Sequence, residues 1–125
     1  LRYWVGGEHA PRYAHNCYLQ VAAETGLIGL ISFLGLLGAL FHLVVRGVRQ
    51  AVGDDKVLLV GLLGGLSAFA VHAAVDTNFY SLRQAALFWV LGGIAVGMSE
   101  RIVRERDAPP PAAAVPAAQR PIVVA

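Results

Sequence analysis

The sequence predicts an all-α fold, that of a polytopic membrane protein fragment with three transmembrane helices. Of its 125 residues, 57% are hydrophobic and only 14% are charged, whereas a soluble domain usually carries about 25% charged residues. Residues 27–45 and 57–75 contain no charge, and each run is 19 residues long. As a helix each run would measure about 28 Å, close to the ~30 Å hydrocarbon core of a bilayer.

Residues 1–14 (LRYWVGGEHAPRYA) are expected to form the end of an outer loop. Two glycines and a proline interrupt regular structure, and the aromatic side chains are typical of a membrane interface. The chain opens on Leu1 rather than on methionine and shows no signal peptide. We therefore expect the natural protein to continue upstream.

The membrane domain is assigned to residues 15–106, with its first helix near 16–46. Asn16 suits the N-cap position of this helix. Gly26 and Gly29 begin a series of small residues that recurs every three positions, which places a spiralling ridge on the helix. We expect both glycines to let other helices approach closely.

The second helix is predicted near residues 57–75, after a short polar turn over residues 46–56. It carries Gly61 and Gly65 in G-x-x-x-G spacing, which is typical of closely packed membrane helices. We therefore expect these two glycines to lie at a helix–helix contact.

The third helix is predicted near residues 82–103. Its uncharged part is short, so it spans a bilayer only if Arg83 and Arg101 extend to the two interfaces. Residues 107–125 are rich in proline and alanine and are expected to form a disordered tail.

The basic residues predict the orientation. The polar turn and the end of the third helix together hold six of them, on one side of a three-span arrangement: Arg46, Arg49, Lys56, Arg101, Arg104 and Arg106. The positive-inside rule places that side, with the tail, in the cytoplasm. Residues 1–14 and 76–84 then face outward.

Two classes of site are excluded by the composition. The basic residues are too scattered for nucleic-acid binding, because they form no stripe with interleaved aromatics. Cys17 is the single cysteine, which excludes a disulfide framework and any cysteine-based zinc spacing.

Polar side chains next to the apolar runs are the candidates for chemistry, because polar groups are costly at membrane depth. A continuous first helix would place His15 at or above the outer interface, where an imidazole can accept a proton at neutral pH. The alternative is a solvated side chain beside a helix cap. Glu24 lies half a turn off the face of His15 and is interpreted as an interfacial or packing residue.

Two further histidines have their own interpretations. His72 and Asp76 are four residues apart, so on one helix they would share a face. They predict either a hydrogen-bonded pair that orients the helix or a contact with substrate. His42 is expected near the inner end of the first helix, where a headgroup contact fits better than catalysis.

The segment HNCYLQVAAETGLIG reads His-Asn, nine residues, Gly, two residues, Gly. It resembles the H-[NSQ]-x9-G-x-x-[GTY] signature of the O-antigen ligase family, which is itself similar to the O-antigen polymerases. The segment HAAVDTNFYSLRQAALFWVLGG also resembles that family, and the likeness covers about residues 12–100.

The resemblance implies the C-terminal part of a larger, GT-C-like helical membrane enzyme. It implies an inverting transfer, without metal or other cofactor, from an undecaprenyl-diphosphate-linked glycan to a sugar hydroxyl on lipid A-core or another glycan. His15 matches the histidine proposed in that family as the general base. Arg12, Asn16, Asp76 and Arg83 are possible substrate contacts on the same side, in an enzyme of the bacterial inner membrane.

Two alternatives remain open. A repeat-unit polymerase would use the same chemistry with another acceptor. A non-enzymatic anchor or assembly subunit would need no chemistry at all. We expect the fragment to be inactive alone, because the family's essential arginines lie mainly upstream.

Overall fold

The computed structural model describes residues 15–108 and is helical throughout, as the sequence predicts. Helix α1 spans Cys17–Gln50, α2 spans Gly53–His72 and α3 spans Leu82–Asp107, with a 3-10 helix at Asn78–Tyr80. All three α-helices are long and apolar enough to cross a membrane. The chain is therefore a multi-pass membrane protein in contact with lipid. The predictions for residues 1–14 and for 109–125 lie outside the described residues.

The helices extend further at their charged ends than the uncharged runs indicate. Helix α2 begins at Gly53, with Asp54 and Asp55 in its first turn, and α3 continues to Asp107, with Arg104 and Arg106 in its last. Acidic groups near a helix N-terminus and basic groups near its C-terminus are favourable to the helix dipole. Charged residues therefore belong to these helices even where they leave the apolar core.

Helix α1 is not straight, which corrects the expectation of one continuous helix. Gly26 adopts φ 72 and ψ −173, a conformation essentially restricted to glycine. The ring centroids of Tyr18 and Phe33 are 6.2 Å apart, although fifteen residues of straight helix would separate their backbones by about 22 Å. The short segment of α1 (residues 17–25) therefore folds back beside the long segment (residues 27–50).

The short segment stacks on the C-terminal end of α2. The backbone N–H of Cys17 donates to the carbonyl of Ala73 at 2.8 Å, and the Tyr18 hydroxyl donates to the carbonyl of Ala70 at 2.6 Å. The first bond pairs a free N–H at the start of the short segment with a free carbonyl at the end of α2, and the second satisfies another carbonyl in the last turn of α2. We call this meeting point, together with the adjoining Asn78–Tyr80 turn, the junction.

An aromatic cluster fixes the loop at the junction. The Phe79 ring lies 5.2 Å from that of Phe33 in α1, and 4.9 Å from those of Phe69 in α2 and Phe88 in α3. Tilted and edge-to-face pairs of this kind contribute about 0.5–1.5 kcal/mol each beyond their buried area. The 3-10 helix is thus tied to all three helices at once.

At the opposite end, which we call the turn end, α1 and α3 cross closely. A Cβ atom on Gly47 would lie 2.7 Å from the Cα of Ser99 and, nearer the middle of the bundle, one on Gly92 would lie 2.9 Å from Cδ1 of Leu40. Any side chain at position 47 would therefore force the two helices apart. Gly47 and Gly92 are the packing glycines, and neither had been expected from G-x-x-x-G spacing.

The four glycines predicted to pack the helices have other surroundings. Gly61 and Gly65 are exposed, and a Cβ at either would meet no atom of residues 15–108 within 4 Å. They lie on parts of α2 that face away from α1 and α3. A Cβ on Gly29 would meet the side chain of Thr25 in its own helix, while Gly26 makes the kink. The packing prediction therefore finds no support at these four positions within residues 15–108, and it stays a prediction.

Candidate functional site

Three members of the His-Asn-x9-Gly-x-x-Gly motif build the short segment. The Asn16 side chain accepts a hydrogen bond from the Leu19 N–H at 3.0 Å, which confirms the predicted N-cap. Gly26 ends the segment at the kink, so the nine intervening residues are the helix itself. At the kink Thr25 folds over Gly29, where a Cβ would lie 1.9 Å from its Oγ1. The spacing thus defines a capped helix of fixed length with a sharp bend.

His15 is the remaining member, and it has no comparable structural task. It is exposed, and its side chain makes no hydrogen bond or ion pair within residues 15–108. Because the short segment folds back, His15 lies beside the end of α2 rather than at the tip of a helix that rises from the membrane. The bend removes the continuous helix from which that placement was argued, and the position of His15 at the outer interface stays a prediction.

His72 pairs with Asn78 rather than with Asp76. The Nδ1 atom of His72 lies 2.9 Å from Nδ2 of Asn78, which is only 4% exposed. The Asp76 carboxylate instead accepts from the Thr77 N–H at 2.7 Å. Helix α2 ends at His72, so Asp76 has already left the helical face on which the predicted pair depended. Asn78 is a buried polar residue that the sequence did not single out.

Asp76 lines an open depression at the junction. The depression has a volume of about 340 Å³, and its walls are formed by Asp76, Thr77, Tyr80, Ser81 and Gln84. Carboxylate and hydroxyl oxygens accept hydrogen bonds, while the hydroxyls and the amide also donate them. This set of groups suits a ligand that presents several hydroxyls in a small space.

Tyr80 connects the depression to the short segment. Its hydroxyl donates to Oε2 of Glu24 at 2.8 Å, and the Gln20 amide donates to the other oxygen of the same carboxylate. Partial burial, and then the nearby Glu24 carboxylate, raise the pKa of Tyr80 to about 12. Tyr80 therefore remains a neutral hydrogen-bond donor across the physiological range.

The other candidates are dispersed. Arg83 is exposed in the first turn of α3 and forms no ion pair within the described range, whereas Arg12 lies outside it. His42 is exposed on the long segment, away from the junction. Cys17 is buried, and its Sγ accepts from the Phe79 N–H at 3.3 Å, which is a structural role.

Residues 15–108 contain no group of three or more histidine, cysteine or acidic side chains that could hold a metal ion. The chain matches no known protein family, no curated protein and no solved structure in three separate comparisons. The chemistry of the junction therefore has to be inferred from its own residues and from the motif.

Proposed function

We propose that this chain is the C-terminal part of a membrane glycosyltransferase similar to the O-antigen ligases, with His15 as its general base. The donor would be a glycan on undecaprenyl diphosphate, and the acceptor a sugar hydroxyl on lipid A-core or on another glycan. The observation that carries the proposal is that the residues of the motif have different roles. Asn16, Gly26 and Gly29 account for the shape of the short segment, and His15 is left exposed, with no side-chain partner among residues 15–108.

The proposed step needs a base at a fixed position. The acceptor oxygen bonds to the anomeric carbon while the bond from that carbon to the diphosphate breaks, and the hydroxyl proton passes to His15. Attack opposite the leaving group inverts the anomeric centre. A positioned base contributes typically ~10²–10⁴-fold to such a step. The cap at Asn16 and the Cys17–Ala73 hydrogen bond support the backbone next to His15 and so restrict its movement.

The polar depression would receive a sugar of the acceptor or donor. Asp76, Tyr80 and Gln84 offer both acceptors and donors to the hydroxyls of a sugar. Arg83 is exposed at the start of α3, where a positive side chain and the helix N-terminus both favour the leaving diphosphate. We assign Asn16, Asp76 and Arg83, with Arg12, supporting roles in substrate binding.

The proposal includes the bacterial inner membrane, with the junction on the periplasmic side. The basic residues at the turn end support this orientation through the positive-inside rule. A polar depression on the opposite side from the basic end is where a lipid-linked glycan would meet its acceptor after crossing the membrane.

The test is transfer in vitro by the full-length protein, with purified lipid-linked donor and equal amounts of each variant. His15→Ala should lower turnover by ~10²–10⁴-fold, because the acceptor proton loses its base. His42→Ala is the matched control, since it removes an exposed imidazole from the same helix away from the junction. Retention of more than about a tenth of wild-type turnover by His15→Ala would contradict the base assignment.

The acceptor in this assay separates ligase from polymerase. Transfer onto lipid A-core supports a ligase, and growth of the lipid-linked glycan itself supports a polymerase. A non-enzymatic anchor is the second candidate, because a capped and kinked helix also suits a purely structural element. That candidate predicts no transfer by the wild type and equal membrane abundance of all variants.

A further inference from the structure

A second depression lies at the turn end, between α1 and α3, and takes no part in the proposed transfer. Its volume is about 290 Å³, and it is lined by Leu43, Arg46, Ser99, Glu100, Val103 and Arg104. The close crossing at Gly47 and Ser99 forms its floor, because Ser99 is only 1% exposed and its hydroxyl donates to the carbonyl of Ala95. The depression is therefore part of the helix packing itself.

Two arginines from different helices line this depression. Arg46 comes from α1 and Arg104 from α3, and neither forms an ion pair within 4.0 Å in the described part of the chain. The neighbouring Arg101, by contrast, is bonded to Asp55 at 3.0 Å. With one carboxylate, that of Glu100, the lining carries a net charge of +1 (two arginines minus one glutamate).

Leu43 and Val103 form an apolar part of the lining, beside the Ser99 hydroxyl. Leu43 belongs to the uncharged run of α1, and Arg46 is the first charged residue after that run. An apolar wall that leads into a pair of arginines at the edge of the hydrocarbon matches the layout of a phospholipid, with acyl chains on one side and phosphate on the other. Arginine is well suited to phosphate, since its guanidinium donates two parallel hydrogen bonds.

We propose that this depression binds the headgroup phosphate of an anionic phospholipid, with Arg46 and Arg104 as the phosphate ligands. A zwitterionic lipid carries the same phosphate but also a cation, which the two arginines would repel. The bound lipid would fill the space between α1 and α3 and neutralise the positive charge of the two arginines in its lining. This inference is independent of the transfer reaction and of the orientation of the chain.

The test uses the full-length protein in neutral detergent, with native mass spectrometry to count retained lipid and thermal unfolding to report stabilisation. Phosphatidylglycerol, phosphatidylcholine and inorganic phosphate are added in separate arms. Arg46→Gln with Arg104→Gln should weaken phosphatidylglycerol binding roughly 30-fold, from the loss of two arginine–phosphate contacts at a membrane surface.

Arg49→Gln with Arg106→Gln is the matched control, because it removes one arginine from each of the same two helices outside this depression. The control should retain phosphatidylglycerol as the wild type does. An equal loss in both double variants would overturn the site, since the binding would then follow total charge. Stabilisation by inorganic phosphate without retention of phosphatidylglycerol, or equal retention of phosphatidylcholine, would overturn the lipid assignment.

Discussion

Replacement of Gly26 by alanine should unfold the bend that defines the junction. At φ 72 and ψ −173 a Cβ has no clash with other atoms within 4 Å, so the penalty comes from the backbone alone. Conformations of this kind cost a non-glycine residue about 1–3 kcal/mol. The alternative, a straight helix, forfeits the bonds from Cys17 to Ala73, Tyr18 to Ala70 and Tyr80 to Glu24. The first two of these bonds, at about 0.5–1.5 kcal/mol each, already give a similar loss.

Gly35→Ala is the control for this substitution. Position 35 lies inside the long segment, and a Cβ there would likewise meet no atom within 4 Å. Alanine should stabilise a helix interior by roughly 0.5–1 kcal/mol relative to glycine. The two variants should therefore differ by roughly 1.5–4 kcal/mol in the free energy of unfolding, measured by titration of the purified protein with a denaturing detergent in mixed micelles.

A cross-linking readout separates strain from straightening. Cysteines at positions 24 and 80, in a Cys17→Ala background, should react with a short bifunctional reagent, because the two native side chains are hydrogen-bonded. Addition of Gly26→Ala should reduce this cross-link if the helix straightens and leave it intact if the bend survives under strain. Equal stability of the two alanine variants, with the cross-link retained, would refute the glycine requirement.

Two more predictions concern packing and titration. Gly47→Ala should destabilise the protein by about 1–3 kcal/mol through overpacking against Ser99. Gly38→Ala should not, because a Cβ at position 38 meets open space. Titration with the denaturing detergent measures both, and equal stabilities would contradict the close crossing. Tyr80→Phe should delete the tyrosine transition near pH 12 in ultraviolet difference spectra. Because its folded pKa is raised, the stability from the Tyr80–Glu24 bond is present below the ordinary pKa of about 10 and is lost as the pH rises through about 12. If the transition persists in Tyr80→Phe, it belongs to another tyrosine, and the prediction is wrong.

The helices follow from the sequence because absence of charge over a membrane-length run leaves few other solutions. The N-cap at Asn16 could also be predicted from the sequence, because asparagine directly before an apolar helix favours the N-cap position. The bend could not be predicted. Gly26 and Gly35 belong to the same regular series of small residues, and only contacts with α2 and the aromatic cluster select the first of them for a glycine-specific conformation.

The site was harder to predict than the fold for the same reason. The pairing of His72 with Asn78 depends on where α2 stops, and no glycine or proline marks that stop. Gly47 lies in the polar turn of the sequence, so spacing within an apolar run could not reveal it. His15 stands out in the sequence through its motif, and the structure adds that its neighbours in the motif have separate, mechanical roles.

The short segment is hydrogen-bonded to the end of α2, although the two are distant in sequence. Within each helix a ladder of hydrogen bonds resists pulling, whereas a few single bonds hold the short segment at the junction, among them Cys17–Ala73, Tyr18–Ala70 and Tyr80–Glu24. Tension applied at His15 would therefore separate the short segment from α2 before it stretched any helix. It would also draw Cys17 away from the Phe79 N–H and loosen the turn that forms the polar depression. A force applied to the backbone at His15 would thus change the shape of that depression.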